Sequence, residues 1–246
     1  MVKKLVWALA LVALTAAPSL AKTIVFATDA TWPPMEFVNA DKQITGFAID
    51  YMKAAGKEAG FTPEFKAVAW DGIFAGLASG KYNAICSSVS ITEERKKTMD
   101  FSTPYFKVRQ ALVVPAASTA KCIDDMKGKT LGAQISTTGH FAIKKAEGVK
   151  DKSYDEVGLA IEDLYNGRID GVVCDDPVAA QYALQNDKYK GKLKIACVIE
   201  AGDEFYGIAV QKGDKEDLDL INKGIEAVKK KGIDKQLLAK WIGGGK

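Results

Sequence analysis

Two stretches of this chain occur twice in the same order, and that repetition limits the fold more than any other feature. Lys22-Thr23-Ile24-Val25-Phe26-Ala27-Thr28-Asp29-Ala30-Thr31 returns loosely as Lys129-Thr130-Leu131-Gly132-Ala133-Gln134-Ile135-Ser136-Thr137-Thr138. Leu77-Ala78-Ser79-Gly80-Lys81-Tyr82-Asn83-Ala84-Ile85 returns as Leu164-Tyr165-Asn166-Gly167-Arg168-Ile169-Asp170-Gly171-Val172. Each copy of the second pattern reads as a helix, a glycine cap, a basic residue and a buried strand. A single match of this sort is an ordinary helix-to-strand joint. Two in the same order predict two lobes of related design. Around them, strand Thr23–Thr28, helix Gly46–Gly60, strand Glu64–Val68, helix Asp71–Ser79 and strand Asn83–Ser87 alternate. Phe47, Ile49, Tyr51, Met52 and Ala55 form the buried side of the first helix. Such alternation predicts an α/β fold with mostly parallel sheets.

The echo also places polar residues. It sets Ser88 of the first lobe opposite Asp175 of the second, and Asp29 opposite Ser136, each just beyond a strand's carboxyl end. Ligands of open α/β sheets bind at that edge, so a cleft between two polar rims is the expected site.

The first residues are expected to leave the fold. Lys3 and Lys4 precede an apolar run from Leu5 to Leu14, Pro18 breaks it, and Ser19-Leu20-Ala21 has the small-x-small form of a cleavage site. A ten-residue helix spans about 15 Å, roughly half a bilayer core, so a cleaved export signal over residues 1–21 is expected rather than an anchor. Its removal leaves 225 residues and takes away two lysines and no acid, lowering the formal charge from +3 to +1. A near-neutral, mixed surface argues against nucleic acid or an anionic membrane as the main partner. The four cysteines Cys86, Cys122, Cys174 and Cys197 form no C-x-x-C pair, and His140 stands alone, so no metal site or cofactor is expected. One disulfide suits an oxidising compartment. Cys122 with Cys197 is the favoured pairing, the others stay open, and Cys86 reads equally well as a buried strand thiol.

Ser90-Ile91-Thr92-Glu93 has the form of a capping box, with Ser90 as N-cap and Glu93 reaching back. A helix start and the guanidinium of Arg95 together make a carboxylate receptor, whereas Lys96 and Lys97 read as a solvated face. Asp175, following the apolar strand Gly171 to Cys174, is placed to accept an ammonium, while Asp176 suffices as a turn residue. Thr137, Thr138 and Gly139 form a small polar turn that offers hydroxyl and backbone donors. Trp32, in a Pro-rich loop beside Asp29, reads as a site residue rather than core. With Trp70 and Asp29 it can clasp a cationic or polar group, at ~0.5–2 kcal/mol per aromatic face.

These segments resemble the polar amino-acid-binding proteins of bacterial ABC importers, solute-binding protein family 3, over essentially the whole chain after the leader. The resemblance rests on Asp29-x-x-Trp32-x-Pro34-x-Glu36-Phe37, Gly46-Phe47-x-Ile49-Asp50, Ser90-Ile91-Thr92-x-x-Arg95 with Asp100-Phe101-Ser102-x-x-Tyr105, Gly167-Arg168-Ile169-Asp170, Tyr206-Gly207-Ile208-Ala209 and Lys240-Trp241-x-Gly243. It implies a two-lobe type II periplasmic-binding-protein clamp, crossed twice by the chain near Val108–Leu112 and Asp203–Gly207. Lobe 1 then comprises 22–109 and 206–246, and lobe 2 comprises 110–205. By position, Arg95 takes a ligand carboxylate, helped by Ser90 and Thr138. Asp175 and Ser88 take the ammonium, and Asp29, Trp32, Trp70, Ser87 and Gln134 face the ligand's side chain. The family's partners are an L-amino acid and a membrane permease driven by an ATPase, with the binding protein a periplasmic monomer.

The run Ser87-Ser88-Val89-Ser90 resembles the basic-amino-acid binders more than the glutamine binders, and Asp29 disfavours acidic ligands because it would bury two unpaired carboxylates. Gly139 departs from the pattern, standing where some basic-amino-acid binders carry Gln. A cationic amino acid is the expected ligand and a neutral polar one the alternative. An enzyme resembling the cyclohexadienyl dehydratases is the rival on the same fold, but Asp29 and Asp175 are already accounted for as charge partners and no Ser/His/Asp set is apparent.

Overall fold

The computed structural model describes residues 21–199 and 202–243, so the expected leader, Ala21 excepted, lies outside the described residues. Two five-stranded sheets carry the chain. In spatial order the first runs Phe61–Ala67, Lys22–Thr28, Ala84–Ile85, Ala209–Gln211, Met99–Phe101. The second runs Lys150–Tyr154, Thr130–Gln134, Gly171–Asp175, Gln110–Pro115, Leu193–Val198. The first three strands of each are parallel and keep the same order: second in sequence, first, third. The remaining two pairings of each sheet are antiparallel, so the sheets are mixed. The reason lies in the connectivity. The fourth strand of each sheet is reached by crossing from the other lobe rather than by a helix returning over the same face, which only a parallel strand requires.

The crossings run side by side. Phe106–Val108 leaves the first sheet and pairs antiparallel with the returning Glu204–Tyr206, and Tyr206 stacks on Phe106 at 5.5 Å. Tyr105, Val108, Ala111 and Tyr206 are buried in one core cluster that continues into both lobes.

The echo has a backbone cause. Helices Ile73–Ala78 and Val157–Tyr165 end alike, because Gly80 (φ 71°) and Gly167 (φ 70°) take the left-handed conformation that only glycine adopts cheaply. The next amides, of Lys81 and Arg168, then donate to Gly76 O and Asp163 O, closing the last helical turn and turning the chain into a buried strand.

The first helix, Phe47–Ala59, buries Phe47, Tyr51 and Met52 completely, and each such side chain contributes about 1.5–3 kcal/mol. Helix Lys215–Lys230 lies against it at Gly224, where a Cβ would sit 2.6 Å from Ala55 O. The second strand begins at Phe61, earlier than expected, because Pro63 sits on an edge strand that tolerates a missing N–H. Cys122 is bonded to Cys197, tying the short turn Ile123–Met126 to the edge strand Leu193–Val198. Cys86 and Cys174 are free and buried. No helix among the described residues is long and apolar enough to cross a membrane.

Candidate functional site

Four strands of the two sheets end at one cavity. Lys22–Thr28 delivers Asp29, Ala84–Ile85 leads into Ser87, Ser88 and Ser90, Thr130–Gln134 supplies Gln134 and the turn beyond it, and Gly171–Asp175 supplies Asp175. All eleven sequence-predicted residues line this single cavity, and Glu36 joins them. Four of the contacts that close it reach the turn at 134–138. Gln134 Nε2 donates to Asp29 Oδ2 (2.7 Å), Trp70 Nε1 to Ile135 O (2.8 Å) and Arg95 Nη2 to Ser136 O (3.1 Å), while Ser90 Oγ lies 3.5 Å from Thr138 Oγ1.

The carboxylate-receptor end differs from the sequence expectation. The helix after Ser90 is only Glu93–Lys96, and its N-cap is Thr92, whose Oγ1 accepts from Arg95 N (3.2 Å). Ser90 is not the cap, because its backbone bridges Tyr206 and its hydroxyl turns into the cavity to donate to Glu204 Oε2 (3.0 Å). Glu93 pairs with Lys96 instead of reaching back. So short a helix adds little dipole, and the receptor reduces to the guanidinium. Arg95 is partly buried, held by Ser90 O (2.8 Å) and stacked over Trp70 (5.6 Å) and Phe74 (5.2 Å). Desolvation draws it down to about 10, against the pull of Asp175 and Glu204, so it stays charged at neutral pH. The cation over Trp70 is therefore the chain's own Arg95. Trp32 is both core and wall, since it belongs to the main buried cluster while lining the cavity.

Asp175 is buried, with Gln110 Nε2 donating to Oδ1 (2.6 Å) and the Tyr206 hydroxyl to Oδ2. Burial pushes its carboxyl up to about 7 despite these bonds. Asp29 accepts from Thr31 Oγ1 (2.9 Å) as well as Gln134, and burial raises it too. Glu36 is fully buried: Ser88 Oγ donates to Oε2 (2.8 Å), whereas Oε1 has no protein partner among the described residues. Desolvation, with Asp29 and Asp175 nearby, raises it well above the ordinary carboxylate range. Sequence reasoning missed Glu36, Gln110, Glu204 and Tyr206. Glu36 left a signal, as an acid between Met35 and Phe37 in a short strand. Gln110 explains the departure at Gly139, where a Cβ would fall 2.8 Å from Gln110 Oε1 and 2.9 Å from Val173 O. A larger residue there is excluded by packing.

Three buried carboxyl groups facing one guanidinium give the cavity one anion receptor and several groups that can accept from a cationic donor. Chemically it fits a small molecule that carries one carboxylate and a surplus of positive charge.

Comparison with known proteins agrees in family. The family model of bacterial extracellular solute-binding proteins, family 3, matches residues 24–244. An ABC transporter arginine-binding protein 1 of Escherichia coli (strain K12) is 35% identical over 245 residues, covering 98% of this chain and 99% of that protein. A probable histidine-binding protein of Neisseria gonorrhoeae is 34% identical over 220 residues, covering 88% and 81% respectively. Among solved structures, an ancestral arginine-binding protein bound to glutamine superposes with a TM-score of 0.85 at 41% identity, covering 92% of this chain and 100% of that one. An ancestral arginine-binding protein bound to arginine superposes at 0.84 and 40% identity, covering 91% and 99%. With the match spanning nearly all of both lobes, the chain belongs to the bacterial extracellular solute-binding proteins, family 3.

Proposed function

We propose that this protein captures a cationic L-amino acid (arginine, lysine, ornithine or histidine) by closing its two lobes, and delivers it to an ABC permease. The observation that carries the reading is the make-up of the cavity: the carboxyl groups of Asp29, Glu36 and Asp175 buried around one guanidinium, Arg95. In this reading Arg95 takes the ligand carboxylate with Ser90 and Thr138, and Asp175 with Ser88 takes the ammonium. Asp29, Trp32, Trp70, Ser87, Gln134 and the Thr137 turn meet the side chain. Lobe 1 comprises 22–109 and 206–246, lobe 2 comprises 110–205, and the paired strands at Phe106–Val108 and Glu204–Tyr206 act as the hinge. The protein works as a periplasmic monomer after loss of residues 1–21, and it is not an enzyme: its cleft acids serve as charge partners of the ligand.

Relatives that bind arginine and histidine support the cationic ligand. The ancestral protein holding glutamine supports a neutral polar ligand as the second reading. Calorimetric titration of ligand-stripped protein with the standard L-amino acids and ornithine decides between them. Micromolar or tighter binding of a cationic amino acid is expected. Tight binding of glutamine alone would overturn the side-chain reading, and turnover of prephenate or arogenate would overturn the non-enzymatic one.

A further inference from the structure

The single histidine of the chain is neither at the surface nor in the cavity wall. His140 is 4% exposed, in the first turn of helix Thr138–Lys145, and both ring nitrogens are engaged. Ser136 N–H donates to Nδ1 (3.1 Å), and Nε2 lies 3.3 Å from Asp151 Oδ2. An amide hydrogen pointing at Nδ1 requires that nitrogen to be unprotonated, so the neutral ring carries its hydrogen on Nε2 and donates to Asp151. Ser136 holds a left-handed conformation (φ 57°), unusual for a residue with a side chain. The turn it belongs to supplies the second lobe's side of four cross-cleft contacts, through Gln134, Ile135 O, Ser136 O and Thr138. Thr137 caps the helix locally, but only the His140 ring holds the amide of the left-handed residue itself.

We propose that His140 is a positioning residue for ligand retention: its Nδ1 lone pair clamps the Ser136 turn in the shape that receives Arg95 across the closed cleft. The inference rests on the amino-acid-binding reading, and it adds a property that reading lacks. A second proton on the ring replaces the acceptor with a donor and sets two N–H groups against each other. The turn is then released and the lobes lose their grip, so the bound amino acid is held less tightly in acid.

The charges around the ring are few. Helix Thr138–Lys145 packs against strands Gln110–Pro115 and Thr130–Gln134, which carry no titratable side chain, and against Gly171–Asp175, which carries Cys174 and the already bonded Asp175. It also packs on Lys150–Tyr154. There Asp151 meets the ring, Lys150 and Lys152 alternate to the opposite face, and both Lys152 and the Tyr154 hydroxyl bond Asp163. Lys144 and Lys145 of its own helix are exposed.

Two measurements test this. Ring ¹⁵N chemical shifts of the free protein at about pH 8 read the tautomer without any ligand: hydrogen on Nε2 is expected, and hydrogen on Nδ1 overturns the clamp. Calorimetric titration with L-arginine at about pH 8 and about pH 5 then compares wild type with His140→Asn, whose Oδ1 supplies an acceptor near Nδ1, and with His140→Leu, which supplies none. His140→Asn is expected to bind within a few-fold of wild type at the higher pH and to lose about tenfold less on acidification. His140→Leu is expected to bind about tenfold more weakly at the higher pH, the equivalent of one hydrogen bond. Wild-type acid sensitivity retained in His140→Asn, or wild-type affinity in His140→Leu, overturns the proposal. Should His140→Leu fail to fold, the Asn variant and the ring shifts still decide. Should wild type bind no amino acid, the functional reading falls while the tautomer still judges the clamp.

Discussion

Asp175 offers a test in which one substitution should move two properties in opposite directions. In the closed cavity its carboxyl is pushed from 3.8 up to about 7, chiefly by desolvation. That displacement corresponds to about 4 kcal/mol between the ionised and protonated forms. Because the value in the closed form lies above that in water, this carboxyl's support for closure is fully present below about pH 4 and is lost as pH rises through about 7. At neutral pH and above, this carboxyl therefore disfavours closure, and an ammonium beside Asp175 offsets the cost. Asp175→Asn keeps the shape and the bonding to Gln110 and Tyr206 within reach, but removes the charge. The free variant should close more readily than wild type at about pH 8, seen as a shorter lobe-to-lobe distance by energy transfer. Its affinity for the ligand should fall by a hundredfold or more, since breaking a buried charge pair costs ~3–5 kcal/mol. Binding within a few-fold of wild type would refute the assignment of Asp175 to the ammonium. An unchanged pH dependence of the free protein's lobe distance would refute the electrostatic argument itself.

Arg95→Ala removes the guanidinium that lines the cavity and one cross-cleft bond, so calorimetry should register a loss of about a hundred- to several-thousand-fold, from ~3–5 kcal/mol; a few-fold loss would mean the carboxylate binds elsewhere. Glu36 sits well above its ordinary range, so wild-type stability should decline as pH rises toward that value, whereas Glu36→Gln escapes the decline. The gap in Tm between the two should thus widen in the variant's favour from about pH 5 to about pH 8, and a constant gap would count against a buried, protonated Glu36. The Cys122–Cys197 bond joins positions 75 residues apart, and replacing both by Ser should lower stability to urea by about 4 kcal/mol if unfolded-chain entropy dominates.

What the sequence made legible was local. The helix–glycine–strand joints at Gly80 and Gly167 could be read because the left-handed residue is demanded by the turn itself, wherever the turn sits. The polar rim followed, because strand ends are countable from apolar runs. What escaped depended on residues far along the chain. Ser90 has every local property of an N-cap, yet its backbone is committed to Tyr206 and its hydroxyl to Glu204, so Thr92 caps instead. Glu36 lies in a short strand of a small three-stranded sheet and is fully buried in the cavity, where Ser88 from a distant strand end bonds it. Gly139 looked like a lost ligand contact until Gln110, brought alongside by the antiparallel pairing with Gly171–Asp175, was found to fill the space. In each case the deciding contact comes from a segment distant in sequence, and for Ser90 from a strand that returns only at the second crossing. A binding site built at a hinge therefore shows its polar groups in the sequence before it shows how they are paired, and its specificity resides in the pairing.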